Sequence, residues 1–141
     1  MLLDAFRLDG KIAIVTGAGK GIGKSIAISF GEMGATVVCV ARSIEDIEDT
    51  AEKIRAAGGK ALALACDVTK EDQLKTVVAQ VLETYNVIDI LINNAGNAHG
   101  LSTIQDGDID DWDAMLDINV KGLLYVSKAI IPQMIAQNDG F

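Results

Sequence analysis

The sequence of 141 residues is poor in aromatic side chains, proline and cysteine: it has 4% aromatic residues, one proline and two cysteines. With so few aromatic residues, a core must be built from valine, isoleucine, leucine and alanine, and half of the residues are hydrophobic. No apolar run approaches the roughly 20 residues of a membrane-spanning helix, so the sequence predicts no membrane span. A chain of this length fits one domain better than two.

Basic residues are also in short supply, since 12 lysines and arginines face 20 acidic residues and the net charge is −8. This charge disfavours binding to nucleic acids or anionic membranes by simple attraction, so we predict neither as a partner. Cys39 and Cys66 both lie in apolar, strand-like runs. We predict buried free thiols rather than a disulfide or a metal pair, which is typical of a reducing, cytoplasmic location.

The hydrophobic pattern alternates between two periods. Continuous apolar runs, typical of strands buried on both faces, occur at residues 12–15, 36–40, 61–66 and 88–92. Helical patterns follow the first three runs, with Ser43 and Thr69 as predicted N-caps and with Ile22 in the first apolar stripe. This alternation predicts an α/β fold with a parallel sheet and right-handed crossovers. A loop at residues 94–107 and a long helix at about 109–137 complete the pattern.

The first predicted strand leads into a glycine-rich turn, Thr-Gly-Ala-Gly-Lys-Gly-Ile-Gly at residues 16–23. Glycines at such a turn let the backbone approach a ligand, and the following helix N-terminus offers N–H groups to a phosphate. The phosphate-binding loop of NTPases fits less well, because it needs glycine where this sequence has Ala18. The dinucleotide pattern G-x-G-x-x-G fails as well, since it needs glycine at Ile22 when counted from Gly17. The pattern that fits is T-G-x-x-x-G-x-G.

Three further motifs accompany this turn. Asn93-Asn94-Ala95-Gly96 ends the fourth apolar run, Asp67-Val68 ends the third, and Asn119 lies within Ile-Asn-Val-Lys-Gly at residues 118–122. Together with the glycine turn, they resemble the short-chain dehydrogenase/reductase family over essentially the whole chain. The resemblance implies a Rossmann-like doubly wound parallel sheet of strand order 3-2-1-4. Residues 1–141 would form a single NAD(P)-binding domain that ends after the fourth strand and the long helix.

The resemblance also implies a set of site residues. Asn119 matches the catalytic-helix asparagine, which in the family holds a water in a proton relay to the catalytic lysine. It lies in a mostly apolar helical stripe with Trp112, Leu116, Leu123, Ser127 and Ile130, so its amide must find hydrogen-bond partners. Asp67 matches a family aspartate that contacts adenine. The predicted cofactor-binding residues are Gly17, Gly19, Lys20, Gly21, Ile22, Gly23, Arg42, Asp67, Val68, Asn94, Ala95 and Gly96.

The second strand distinguishes the two nicotinamide cofactors. NAD-binding domains usually place an acid about twenty residues past the glycines, where it holds the ribose 2′-hydroxyl. This sequence has Arg42 there instead, and Lys20 adds a second positive charge. A carboxylate would repel a 2′-phosphate, whereas a guanidinium binds one with paired N–H donors. The sequence therefore predicts NADP, with NAD as the less favoured cofactor.

The catalytic serine and the Tyr-x-x-x-Lys motif of the family are missing from this sequence. Tyr125 and Lys128 are three residues apart rather than four, and the chain stops at residues 139–141, where a fifth strand would begin. The sequence thus predicts the NADP-binding half of an oxidoreductase. The complete form would transfer hydride between NADP(H) and a carbonyl or secondary alcohol, and this chain alone is expected to be inactive.

Other interpretations remain open. A fourth strand with a bare apolar edge and a long helix without neighbours predict self-association or a partner segment. The chain would then be a non-catalytic nucleotide-binding or self-associating half-fold. An NTPase, with magnesium-dependent ATP binding, is a third possibility. The acidic cluster Asp106, Asp108 and Asp110 partly fits a calcium-binding loop. However, Asp111 stands where that loop needs glycine and Asp117 where it needs glutamate, so we predict no metal site. Acids that precede a helix and are favoured by its dipole explain the cluster better.

Overall fold

A computed structural model describes residues 2–141. Four parallel strands form one sheet in the order β3-β2-β1-β4, which confirms the predicted strand order. The strands are β1 at Ile12–Thr16, β2 at Thr36–Ala41, β3 at Lys60–Ala65 and β4 at Ile90–Ile92. Each differs from its predicted range by one or two residues, at both ends for β3 and at one end for the others. The crossover connections place helices on both faces of the sheet.

The helices follow the strands as the sequence predicts. They are α1 at Gly21–Glu32, α2 at Ile44–Ala56, α3 at Glu71–Tyr85, α4 at Ile109–Leu116 and α5 at Leu123–Gln137. A π-helical segment, Asp117–Gly122, joins α4 to α5, so the long helix predicted at 109–137 is continuous but not uniform. Short 3₁₀ turns lie at Leu2–Phe6 and Ile104–Asp106. Within residues 2–141, no helix combines the length and apolarity needed to cross a bilayer.

Two apolar clusters cover the two faces of the sheet. Ala13 and Val15 of β1 pack with residues of α1 and α2, whereas Ile12 and Ile14 pack with residues of α3 and α5. Alternate residues of β1 lie in different clusters, and both clusters are buried. The sequence of this strand is therefore a continuous apolar run. The same holds for β2, but the prediction of burial on both faces is wrong for β3. It is an edge strand, and Lys60 and Ala65 at its ends are exposed.

The helix ends are partly as predicted. The Ser43 hydroxyl accepts a hydrogen bond from the Asp46 N–H at 3.3 Å, which confirms Ser43 as the N-cap of α2. The N-cap of α3 is Lys70 rather than Thr69, because the Thr69 hydroxyl donates to the Asp67 carboxylate at 2.7 Å instead. Ile22 does not join the core and is 74% exposed, since α1 packs against the sheet with small residues, namely Gly23, Ala27 and Gly31.

The apolar stripe predicted along the long helix is wrong over its first half. Trp112, Leu116 and Leu123 are exposed, whereas Ile130 of the same predicted stripe is buried together with Val126. The first half of the long helix lies outside the core, since no residue of α4 is buried. Helical spacing alone therefore does not show which part of the long helix is buried.

The last residue of the chain lies beside β4. The Phe141 N–H donates to the Asp89 carbonyl at 2.9 Å, and the Leu91 N–H donates to the Phe141 carbonyl at 2.8 Å, as in a parallel strand pair. The Gln137 side-chain amide forms two further hydrogen bonds with the peptide groups of Ile88, each at 3.0 Å. A fully bare β4 edge was therefore the wrong expectation, because the segment after α5 turns back and starts to pair with this strand.

Candidate functional site

A cleft of about 930 Å³ opens at the carboxyl ends of the four strands. It is lined by the residues that follow each strand, beginning with Gly17 after β1, Arg42 after β2, Cys66 after β3 and Asn94 after β4. The chain leaves β1 and β4 in different directions, because β1 leads into a crossover toward β2 and β4 into the loop before α4. Ligands of open α/β sheets bind at such a switch point.

Thr16 connects the ends of β1 and β4 at the base of this cleft. Its hydroxyl oxygen accepts hydrogen bonds from the Asn94 N–H at 3.1 Å and the Ala95 N–H at 2.9 Å, and the hydroxyl donates to the Ile92 carbonyl at 3.3 Å. Thr16 is 2% exposed, so these bonds are shielded from water. The sequence places Thr16 at the start of the glycine motif but gives no sign that its hydroxyl holds the segment at the end of β4.

The glycine turn is held in shape by Asn94. The Asn94 Nδ2 group donates to the carbonyls of Thr16 at 3.0 Å and Gly17 at 3.3 Å, and Gly17 has a positive φ of 65°. A Cβ on Gly23 would overlap both the Gly17 carbonyl oxygen and Asn94 Nδ2. Gly23 therefore lies behind the cleft wall, where it lets α1 pack directly against the turn.

The N-terminus of α1 contributes unpaired N–H groups to the cleft. Among residues 2–141, no side chain caps this end, and the first turn of α1 carries no acidic residue. By contrast, α2, α3 and α4 each begin with two acids. Gly21 and Ile22, the first residues of α1, line the cleft. The partial positive charge of this helix end is therefore available to an anion.

Two cations and one carboxylate line the part of the cleft between β1 and α2. Lys20 and Arg42 are both at the surface, and the Lys20 ammonium lies 3.2 Å from the Asp46 carboxylate. The hydrogen bonds that Asp46 receives from Lys20 and Ser43 lower the pKa of its carboxyl below the ordinary value. Asp46 is thus an ionised neighbour of the predicted phosphate-binding lysine, and the sequence analysis did not identify it.

Asp67 is fixed at the end of β3. Its Oδ1 accepts hydrogen bonds from the Thr69 N–H at 2.9 Å and the Thr69 hydroxyl at 2.7 Å, while its own N–H donates to Gln73 Oε1 at 2.8 Å. Partial burial pushes the pKa of Asp67 upward, but the Thr69 hydrogen bonds and the charges of Arg42 and Lys70 outweigh burial and lower it. The carboxylate therefore stays ionised in the cleft.

Asn119 lies in the π-helical segment and contacts the loop after β4. Its Nδ2 donates to the Asn97 carbonyl at 2.8 Å, and its Oδ1 accepts from the Asn97 N–H at 2.9 Å. A Cβ on Gly96 would lie only 2.7 Å from Asn119 Oδ1, so glycine permits this approach. The amide thus finds the partners that the sequence required. However, Asn119 is exposed rather than part of a buried stripe.

The cleft brings together the predicted cofactor-binding residues with one exception. All of them except Gly23 line it, and Asn119 reaches it through Asn97, which does line it. The sequence analysis missed six lining residues: Ala41, Ser43, Asp46, Cys66, Asn97 and Ile118. The Ser-x-x-Asp pattern at residues 43–46 is a local capping signal. It gives no indication that α2 begins beside the glycine turn.

The predicted acidic cluster before the long helix has structural partners. The Asp108 carboxylate accepts a hydrogen bond from the Asp110 N–H at 2.9 Å and caps α4. Asp117 pairs with Lys121 at 2.7 Å, and Asp106 accepts a hydrogen bond from the Thr103 hydroxyl at 2.9 Å. Helix capping and local pairing therefore account for these acids.

Comparisons with known proteins agree with this geometry. The chain is 37% identical over 134 residues to the 3-oxoacyl-(acyl-carrier-protein) reductase FabG of Thermotoga maritima, covering 95% of this chain and 54% of that protein. A metagenomic short-chain oxidoreductase solved with NADP is 37% identical with a TM-score of 0.88, over 94% of this chain and 60% of the other. An NAD⁺-bound xylitol dehydrogenase is 37% identical with a TM-score of 0.91, over 94% and 51% respectively.

The chain spans about half the length of the curated relatives that it matches. The sequence profile of the short chain dehydrogenase family matches residues 11–141, which includes every strand and α-helix described above. This chain therefore belongs to the short chain dehydrogenase family.

Proposed function

We propose that this chain binds NADP(H) as the cofactor-binding half of an oxidoreductase, whose complete form transfers hydride between NADP(H) and a carbonyl or secondary alcohol. One observation carries the proposal: the glycine turn leads into the uncapped, acid-free N-terminus of α1 within a cleft between β1 and β4. Free N–H groups and a positive helix end are the donor set that a pyrophosphate requires. The residues present therefore fit a dinucleotide.

The cleft residues suggest how the cofactor would be held. The backbone of Gly17, Gly19 and Gly21 would bind the pyrophosphate, because these residues line the cleft without side chains that cover their peptide groups. Asp67 and Val68 would contact the adenine, and residues 94–96 would line the inner part of the cleft. The bound nicotinamide would give or accept the hydride.

The preference for NADP over NAD is supported by the end of β2. Arg42 lies at the cleft where an NAD-binding domain usually has an acid, and Lys20 lies in the neighbouring turn. Both cations are at the surface and can turn toward a phosphate. Solved family relatives include one with NADP and one with NAD⁺, so both cofactors suit this fold.

Catalysis by this chain alone is not expected. Neither Tyr85 nor Tyr125 is followed by lysine four residues later, so the sequence has no Tyr-x-x-x-Lys. Asn119 is our candidate for the family's catalytic-helix asparagine, since it joins the cleft loop through Asn97. We propose that it positions a water for proton transfer once the remaining catalytic groups are supplied. A cytoplasmic location is supported by the two free, buried thiols.

Calorimetric titration tests the proposal directly. The purified chain would be titrated with NADPH, NADH and ATP, the last with and without magnesium. We expect micromolar binding of NADPH and much weaker binding of NADH. Magnesium-dependent binding of ATP in preference to NADPH would support the NTPase instead. Absence of binding to every nucleotide would overturn the proposed function.

A self-associating half-fold is the second candidate. Apolar side chains on the outer face of the long helix are exposed, namely Leu116, Val120, Leu123, Leu124, Ile131 and Ile135. An apolar surface of this kind is typical of an interface. Analytical ultracentrifugation would detect concentration-dependent assembly, and a C-terminal fragment from a relative would restore activity only if the chain is an enzyme half.

A further inference from the structure

We propose that Asp46 weakens the preference of this site for a 2′-phosphate, because it holds Lys20 as an internal counter-ion. The inference rests on the proposed function and names a residue that tunes its cofactor specificity. Asp46 lines the same cleft as Lys20 and Arg42, and its carboxylate lies 3.2 Å from the Lys20 ammonium.

The position of Asp46 is set by packing between α2 and the glycine turn. The buried Thr50 hydroxyl donates to the Ala18 carbonyl at 2.9 Å and is 3.1 Å from the Asp46 carbonyl, so one side chain links both segments. A Cβ on Gly19 would lie 2.8 Å from the Asp46 Cβ, which means that α2 begins in direct contact with the turn. Asp46 is therefore held beside Lys20 by the fold itself.

The orientation of the Asp46 carboxylate supports the same role. In the Ser-x-x-Glu capping box, the glutamate side chain reaches back to the N–H of the cap residue. Here the Ser43 hydroxyl accepts from the Asp46 N–H, but the Asp46 carboxylate pairs with Lys20 across the cleft edge. The Asp46 carboxylate is thus paired with Lys20 at the cleft that both residues line.

This arrangement affects the two nicotinamide cofactors differently. A 2′-phosphate that approaches Arg42 and Lys20 would be repelled by the Asp46 carboxylate and would compete with it for Lys20. A 2′-hydroxyl carries no charge, so the same carboxylate has little effect on NADH. Asp46 should therefore lower the affinity for NADPH selectively.

The substitution Asp46→Asn tests the inference, because it removes the charge and keeps the size of the side chain. We expect the Kd for NADPH to fall about threefold to tenfold, and the Kd for NADH to change less than about twofold, at low ionic strength. Glu45→Gln is the matched control: Glu45 lies in the same first turn of α2 but does not line the cleft. It should leave both Kd values within about twofold of the wild type.

A second comparison separates pairing from general charge effects. If Asp46 holds Lys20, Lys20→Met should weaken NADPH binding more in the Asp46→Asn background than in the wild type. Equal effects of Lys20→Met in both backgrounds would overturn the inference, and so would weaker NADPH binding by Asp46→Asn. In either case, NADPH binding by the wild type would leave the proposed function standing. Absence of NADPH and NADH binding to the wild type would overturn both.

Discussion

The side-chain amide of Asn119 is paired with the peptide groups of Asn97, with its Nδ2 2.8 Å from the carbonyl oxygen and its Oδ1 2.9 Å from the N–H nitrogen. One side chain thereby joins the long helix to the loop that follows β4. Because Asn97 lines the cleft, this pair links the candidate catalytic asparagine to the shape of the site.

Substitution of Asn119 by leucine should loosen this loop. Both hydrogen bonds are lost, and we expect the free energy of unfolding to fall by about 1 kcal/mol, since the exposed peptide groups regain water. Hydrogen exchange at the Asn97 amide should become faster. Asn119→Asp keeps an acceptor for that amide but replaces the Nδ2 donor by an oxygen that faces the Asn97 carbonyl, so it should preserve the protection only in part. Unchanged exchange in Asn119→Leu would contradict the role of this pair.

Gly23 and Gly21 should respond differently to alanine. A Cβ on Gly23 meets the Gly17 carbonyl and the Asn94 side chain, so Gly23→Ala must displace the turn, at a cost of about 3 kcal/mol. Gly21 has a φ of 54°, and a Cβ added there would have no described atom within 4 Å, so Gly21→Ala meets backbone strain of only about 1 kcal/mol. Urea unfolding of the two variants measures this difference. Equal losses would show that the turn relaxes around the new methyl group.

Arg42 is expected to discriminate between NADPH and NADH. Arg42→Gln removes the guanidinium at the end of β2 and should weaken NADPH binding about tenfold or more, as expected for a charge-assisted hydrogen bond, with little effect on NADH. Lys60→Gln is the control, because Lys60 is an exposed cation at the opposite end of the sheet. Calorimetry of both variants is the measurement. A similar loss for NADPH and NADH would contradict a phosphate-binding role.

The two buried thiols predict a loss of stability at alkaline pH. Burial raises the pKa of Cys39 to about 12 and that of Cys66 to about 11. Their contribution to the free energy of unfolding is complete at pH values below the pKa of the unfolded thiols, near 9. It is lost as the pH rises toward the pKa values of the folded thiols, because the unfolded thiols ionise first. As the pH rises from 8 to 10, the loss of each thiol's contribution should lower the free energy of unfolding by about 1 kcal/mol.

The double variant Cys39→Ala/Cys66→Ala provides the control for this pH dependence. It loses packing at every pH, but its free energy of unfolding should fall less between pH 8 and 10 than that of the wild type. Denaturant unfolding at both pH values measures the two slopes. Parallel slopes would show that the thiols do not carry the effect.

Much of the fold was predictable because its signals are local. Continuous apolar runs identified β1 and β2, which are buried on both faces, and the glycine turn identified the start of α1. The weaker predictions were those of burial, which depends on how elements pack. No residue of α4 is buried, and β3 lies at an edge of the sheet, so neither buries the face that a regular repeat predicts.

The candidate site divides in the same way. The sequence by itself determined which backbone segments end at the cleft. The glycine turn, the missing acid after β2 and the Asn-Asn-Ala-Gly motif are local patterns that can be recognised without knowledge of tertiary contacts. Only the tertiary structure decided that Thr16 holds Asn94, that Asp46 pairs with Lys20 and that Asn119 pairs with Asn97. These partners are more than twenty residues apart in the chain. The packing of whole elements brings such groups within hydrogen-bond distance, whereas sequence periodicity reports only the conformation of one element at a time.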